Sequence, residues 1–116
     1  MRTWTLRLRK TDTEIFDQIK KGTKPVETRA ATVRYVPIEN GDTLIFVCGD
    51  KRCSKKIKRK THFKNVDSLF KKIPFNKILP SSKSVGEAKK VYGSFSGYGE
   101  KIKKFGIFAF ELESGR

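Results

Sequence analysis

The feature that most restricts the fold of this chain is a short apolar run between two turns. Thr43-Leu44-Ile45-Phe46-Val47-Cys48 follows Asn40-Gly41-Asp42 and precedes Gly49-Asp50. Asn-Gly and Gly-Asp pairs are strong turn signals. A bounded run of this length, rich in β-branched and aromatic residues, is typical of a buried strand. We therefore predict a strand over residues 43–48.

Three further segments have strand patterns. Trp4, Leu6 and Leu8 alternate with polar residues between Thr3 and Arg9, as expected for a strand with one buried face. Residues 24–36 are rich in Thr, Val and Tyr and predict extended structure with a turn. Residues 51–63 predict a long, mostly exposed hairpin partner, and residues 105–112 predict a closing strand.

Capping patterns place the helices between these strands. Thr11 and Glu14 form a capping-box pattern that predicts a helix over residues 12–21, ending at Gly22. Asn65 or Asp67 can cap a short helix that Pro74 ends, and residues 75–79 can add a turn. A second box, Ser84 with Glu87, opens a helix through residue 92, and residues 93–99 predict a loop. These elements predict an α+β domain with a curled sheet or small β-barrel of about five or six strands and flanking helices.

Length and charge limit the classes of function. The 116 residues suit one domain spanning 1–116, and the net charge of +15 predicts a polyanionic partner, with RNA preferred. A lysine-rich source proteome is the alternative cause of this charge. No apolar run is long enough to span a bilayer, so we expect no membrane partner, and the absence of a signal-peptide pattern predicts a cytoplasmic protein.

Metal and cofactor chemistry lacks suitable residues in the sequence. Cys48, Cys53 and the single histidine, His62, do not have the number or spacing of a zinc site, and we expect two free thiols. His62 also lacks the second acid–base group that ribonuclease chemistry usually needs. We therefore expect neither metal nor cofactor.

A charged motif follows the predicted end of the first helix. Lys24 lies before Pro25, and in an extended segment the side chains of Glu27 and Arg29 point to the same face. The three charges can therefore line one rim of a cleft. An exposed strand with a Glu–Arg ion pair is the competing interpretation.

The order of these motifs resembles the ASCH domain, a family of the PUA-like group. The resemblance rests on a helix, Gly-x-Lys-x-x-Glu-x-Arg at residues 22–29, a Gly41-Asp42 turn into an apolar strand, a basic strand and a closing Phe-Gly-Ile-Phe-Ala-Phe strand. It implies a PUA-like β-barrel with a cleft that binds RNA or a nucleotide through Lys24, Glu27 and Arg29.

Some members of that family are enzymes that deacetylate a modified cytidine or cut RNA. The resemblance makes Lys24 and Glu27 the catalytic candidates, with Lys24 acting as a base if burial lowers its pKa. The chain departs from the hydrolase pattern, because Glu27 stands where the family has a threonine and the second acid aligns near Ser81 and Ser82. A nucleoside amidohydrolase or a ribonuclease is therefore the alternative to a non-catalytic RNA-binding module, and a partner-binding accessory domain is the third interpretation.

A basic run and an aromatic segment complete the predicted nucleic-acid surface. The run can offer both strand faces to phosphates, although a solvated edge strand protected from aggregation would have the same composition. We expect Tyr98 to be exposed for stacking on a base and Phe95 to be buried. The candidates added to the cleft residues are Lys51, Arg52, Lys55, Lys56, Lys58, Arg59, Lys60 and Tyr98.

Overall fold

The computed structural model describes residues 1–94 and 97–113 of the chain. Four helices of at least seven residues, one single-turn helix, one 3₁₀ turn and five strands follow one another in this part. Their bounds are β1 Thr3–Leu8, α1 Thr13–Lys21, β2 Val26–Ala30, a 3₁₀ turn Val33–Tyr35, β3 Thr43–Cys48, β4 Lys51–Phe63, α2 Val66–Lys72, α3 Phe75–Ile78, α4 Val85–Ser94, α5 Tyr98–Phe105 and β5 Ile107–Leu112.

The five strands form one curled sheet in the order β1-β3-β4-β5-β2. β1 pairs with β3 in parallel, and the other three pairings are antiparallel. The expected α+β fold is confirmed, with the sheet forming a half-barrel whose two edge strands are β1 and β2.

The sheet separates two hydrophobic cores, and β5 contributes to both because its side chains alternate. Phe108 and Phe110 pack on the concave side with Phe16 and Ile19 of α1. Ile107 and its neighbours pack on the other side against residues of α2 to α5. Both faces of β5 are therefore buried, which explains its almost continuous apolar sequence.

The structure corrects the predicted exposure of the basic strand. β4 is a central strand, paired with β3 through its first half and with β5 through its second half. A register shift between Ile57 and Arg59 changes which side chains face the concave core. The predicted hairpin pairing with β3 is confirmed, but the second half of β4 is less exposed than predicted, because Ile57 is buried and Lys60, Thr61 and Phe63 are partly buried.

The helix ends match the sequence in part. Gly22 ends α1 with a φ of 91°, and the backbone N–H of Glu87 donates to Ser84 Oγ at 3.1 Å, so these two signals are confirmed. The Thr11 capping box is wrong, because Asp12 holds the N-cap position and its carboxylate accepts from the Arg9 guanidinium instead.

The predicted loop over residues 93–99 is also wrong where it is described. Gly93 and Ser94 belong to α4, and Tyr98 begins α5. Because α5 continues to Phe105, the closing strand begins at Ile107 rather than at Phe105. Phe95, expected to be buried, lies outside the described residues. Among the residues described, no helix combines the length and apolarity needed to cross a membrane.

Candidate functional site

The charged motif of residues 22–29 lies on the free edge of the half-barrel. Gly22 stops α1, and the backbone N–H of Lys24 donates to Gln18 O at 3.0 Å, which turns the chain into β2. In the register with β5, Glu27 lies opposite Phe110 and Arg29 lies opposite Phe108. Both charged side chains therefore point to the concave side of the sheet, as strand alternation predicted.

These side chains form one buried ion cluster. Glu27 Oε1 lies 3.5 Å from Lys24 Nζ, and Glu27 Oε2 accepts from Arg29 Nη2 at 3.2 Å. Lys24 is 3% exposed and Glu27 is 6% exposed. The backbone N–H of Thr28 donates to Glu27 Oε1 at 3.0 Å, and Lys24 Nζ also donates to the carbonyl of Ile78. The competing interpretation of an exposed strand with an ion pair is wrong.

Burial and neighbouring charge shift the three pKa values in different directions. Burial lowers the pKa of Lys24 by more than the Glu27 carboxylate raises it. Burial would raise the pKa of Glu27, but the charges of Lys24 and Arg29 overcome that effect and lower it. Burial likewise opposes the charge on Arg29, whose pKa is raised overall because Glu27 is so close. The carboxylate therefore stays ionised, and Lys24 loses its proton more easily than an exposed lysine.

The cluster borders a cavity of about 260 Å³. Its lining includes Arg7, Leu8 and Arg9 from the end of β1 and residues 27–29 from β2. Since β1 and β2 are the two edge strands of the sheet, the cavity fills the gap where the half-barrel does not close. Volumes of about 300–1,000 Å³ are usual for small-ligand pockets, so this cavity suits one small moiety.

Two tyrosines and a threonine form the wall opposite the β1 residues. The rings of Tyr92 and Tyr98 stack at 6.0 Å with an interplanar angle of 13°. Tyr92 Oη and Thr28 Oγ1 share a hydrogen bond of 2.6 Å, and Tyr98 Oη accepts from the backbone N–H of Ala30 at 2.9 Å. Burial raises the pKa of both phenols, so they remain neutral hydrogen-bonding groups.

Tyr98 is therefore placed differently from its prediction. The sequence suggested a ring exposed on a glycine-rich loop, whereas the structure places it partly buried at the start of α5. The hydrogen bond that its hydroxyl oxygen accepts from the backbone of Ala30 in β2 anchors α5 over the cavity. Its ring lines the cavity, while its proposed stacking on a base stays a prediction.

The rim of the cavity adds further charge. Arg9 binds Asp12 through two guanidinium nitrogens at 3.0 and 3.2 Å, and both residues line the cavity together with Arg7. On the concave side, Arg29 Nη1 donates to Tyr35 Oη at 3.5 Å. Arg29 is thus held by a carboxylate and a phenol.

The basic run of β4 lies apart from this cavity. None of its seven cations is among the lining residues, and five of them are exposed. The exposed members are Lys51, Arg52, Lys56, Lys58 and Arg59. Their contact with nucleic acid stays a prediction.

Two members of the run are structural instead. Lys55 is 8% exposed, and its Nζ donates to the carbonyl of Lys20 at 3.3 Å, at the carboxyl end of α1. Lys60 Nζ donates to the carbonyls of Tyr35 and Val36 at 3.0 and 2.8 Å and lies 4.1 Å from the ring centre of Phe108. The predicted exposure is wrong for Lys55, because it is buried against the end of α1. Lys60 is partly exposed, and its contact with nucleic acid stays a prediction.

Sequence reasoning missed Arg7 and Thr28 as residues of the site, and considered Tyr92 only as an aromatic neighbour of Tyr98. Thr28 carried a signal, since it lies within the Lys24–Arg29 motif, but its side chain points away from Glu27 on the strand. Cys48 and Cys53 are free thiols, and His62 lies on β4 with its Nε2 2.8 Å from Phe105 O. Within residues 1–94 and 97–113 no three His, Cys, Asp or Glu side chains cluster as a metal site would require.

No family model matches the chain, and no curated protein matches it. Two solved structures are similar over almost the whole length. The crystal structure of a hypothetical protein, PH0355, is 29% identical, with a TM-score of 0.80 and coverage of 97% of this chain and 98% of the other. The solution NMR structure of PF0455 from Pyrococcus furiosus is 27% identical, with a TM-score of 0.75 and coverage of 97% and 96%. The chain therefore shares its small α+β fold with these two proteins over nearly their full lengths.

Proposed function

We propose that the protein is an RNA-binding module of the ASCH type, which holds one nucleoside moiety in the cavity between β1 and β2. The observation that carries this proposal is the buried Lys24–Glu27–Arg29 cluster at a cavity. Burying ions is expensive and rarely improves stability over apolar packing. Ionisable groups with shifted pKa values beside a cavity are therefore typical of a binding or active site.

The chemistry of the cavity suits a nucleoside. The stacked rings of Tyr92 and Tyr98 supply an apolar aromatic wall, and a planar base can contact such a surface. Thr28 Oγ1 and the carboxylate of Glu27 are acceptors for the amino group of a base. The cluster holds two cations and one anion, so its net positive charge favours a ligand that carries phosphate.

Binding should depend strongly on salt, because the chain carries a net charge of +15. About four neutralised phosphates on a single strand give a slope near −3 for log K against log salt concentration. Affinity should then fall about 50-fold between 50 and 200 mM salt. Fluorescence anisotropy with a labelled single-stranded RNA measures this slope, and undetectable binding at low salt would exclude the proposal.

The contribution of the cavity is tested by Arg29→Lys, which keeps the charge but removes the planar guanidinium fork. We expect weaker binding of RNA and of mononucleotides with an unchanged salt slope. Glu113→Gln, at an exposed position of the chain, is the control. Equal affinity of Arg29→Lys and wild type would remove the cavity from the binding site.

A hydrolase of modified nucleosides is the second candidate, favoured by one observation. Lys24 is buried 3.5 Å from the Glu27 carboxylate with a lowered pKa, and Thr28 supplies a third buried polar group. A neutral lysine in such a site can act as a general base. Chromatography of acetylated cytidine incubated with wild type and Lys24→Met tests this activity, and no cytidine release by wild type would leave binding as the function of the cavity.

A further inference from the structure

Three strands of the sheet present an open face on the side away from α1. β1, β3 and β4 align there in rows, and the first row joins Arg7, Val47 and Arg52. The next row joins Thr5, Ile45 and Ser54. Side chains on the opposite face of the same strands, such as Leu44 and Phe46, are fully buried in the core with α1. Strand alternation therefore directs one face inwards and this second face outwards.

The outward face is not covered by a described helix. Arg7, Thr5, Arg52 and Ser54 are exposed, and Val47 and Ile45 are partly exposed between them. Strands in a sheet lie about 4.8 Å apart, so the β1 and β4 side chains flank the apolar centre at a separation of about 10 Å. The face is therefore an apolar strip with polar and cationic borders.

The charge of this face has one sign. A third row adds Thr3, Thr43 and Lys56, and the nine positions hold three cations and no acid. In the described part of the chain, neither Arg7, Arg52 nor Lys56 takes part in an ion pair. Their charges are thus available to neutralise phosphates.

The face is continuous with the cavity through Arg7. This residue ends the outward row of β1 and also lines the cavity. A bound polyanion that crosses β4, β3 and β1 therefore reaches the mouth of the cavity without leaving the cationic surface.

We propose that single-stranded RNA crosses the open face of β1, β3 and β4, with its bases against Ile45 and Val47 and its last nucleotide directed past Arg7 into the cavity. This inference rests on the proposed function. A single strand fits better than a duplex, because only unstacked bases offer apolar faces to an aliphatic strip.

The decisive experiment compares two double variants with equal loss of charge. Arg52→Gln/Lys56→Gln removes two cations from the face, and Lys83→Gln/Lys101→Gln removes two exposed lysines that lie outside it and outside the cavity lining. Thermal melting establishes that both variants are folded. We expect the face variant to lose about tenfold or more in RNA affinity at 50 mM salt and to reduce the salt slope by about 1.4, and the control to match wild type.

The apolar strip has its own test. Val47→Thr keeps the shape of the side chain and should lower affinity for single-stranded RNA about threefold with an unchanged salt slope. A duplex of the same sequence should bind more weakly than the single strand. Tighter binding of the duplex would overturn the proposed contact with bases.

The outcomes separate this inference from the proposal on which it rests. If wild type binds RNA and the two double variants lose affinity equally, binding follows total charge and the face proposal is wrong. If wild type binds RNA and neither variant loses affinity, the face is again excluded while the cavity stays a binding site. If wild type binds no RNA at low salt, the proposed function itself is wrong.

Discussion

Two groups of basic residues in this protein differ in their exposure to solvent. Lys24 and Arg29 on the edge strand β2 are drawn into a buried cluster around Glu27. Most cations of the central strand β4 remain in solvent, although that strand lies deeper within the sheet. Position in the sheet therefore does not decide whether a charge is buried. Burial of a charge depends on the face of the sheet to which the side chain points and on whether a group of opposite charge lies there.

The largest expected effect comes from removing the carboxylate that joins the buried group. Glu27→Gln leaves Lys24 and Arg29 buried without a counter-charge, which should destabilise the fold by about 3–5 kcal/mol. Urea unfolding monitored by circular dichroism measures this loss. Glu113→Gln, at an exposed position, should change stability by less than about 0.5 kcal/mol. A similar small change in Glu27→Gln would show that the cluster is not energetically coupled.

Asp42 is a buried carboxylate that is held by neutral hydrogen-bond donors, whereas Glu27 is held by two cations. It accepts from the backbone N–H of Arg2 and Glu39 and from Trp4 Nε1, and these bonds lower its pKa to about 2. Because the folded-state pKa lies below the ordinary value of 3.8, the stabilisation is complete above that value and is lost as pH falls towards 2.

Asp42→Asn should therefore flatten the decrease in melting temperature between about pH 4 and pH 2. It should also lower stability near neutral pH, where the wild-type carboxylate is ionised and fully bonded. Since its donors are neutral dipoles and the charged amino terminus is the smallest cause of the shift, added salt should change the effect little. Parallel acid-melting curves for the variant and wild type would contradict the assigned role.

Adjacent lysines of β4 test the comparison within a single strand. Lys55→Met removes the hydrogen bond to the carbonyl at the end of α1 and should cost about 1 kcal/mol without reducing RNA affinity. Lys56→Met, on the exposed face, should reduce RNA affinity and leave the stability of the fold nearly unchanged. Denaturant unfolding and RNA titration of both variants provide the four measurements. Equal effects on binding would mean that burial does not separate the two roles.

The smallest effect is expected for an ion pair in solvent. Lys89 and Asp67 pair with both side chains largely exposed. Lys89→Gln should change stability by about 0.5 kcal/mol or less, and high salt should remove the difference. A loss comparable to that of Glu27→Gln would show that exposure does not distinguish the two ion pairs. Thermal melting of Lys89→Gln and wild type at low and high salt measures the stability difference and its dependence on salt.

Much of the fold follows from local patterns in the chain. The run at residues 43–48, the alternation after Thr3 and the stop at Gly22 each specify an element, because hydrophobic period and glycine conformation act over a few residues. Alternation likewise places Glu27 and Arg29 on one face. The position of α5 was missed, because the glycines around Tyr98 disfavour a helix that packing of Ile102 stabilises.

The sequence by itself determined the class of fold, the order of most elements, the charge of the surface and the motif that carries the ion cluster. Only the tertiary structure decided that Lys24 is buried, that Arg7 and β2 line the same cavity, and that the register shift after Ile57 turns Lys60 inwards. These features depend on contacts between residues distant in the chain. Local periodicity directs a side chain to a face, whereas the opposing strand and helix decide whether water, a carbonyl or a carboxylate lies there.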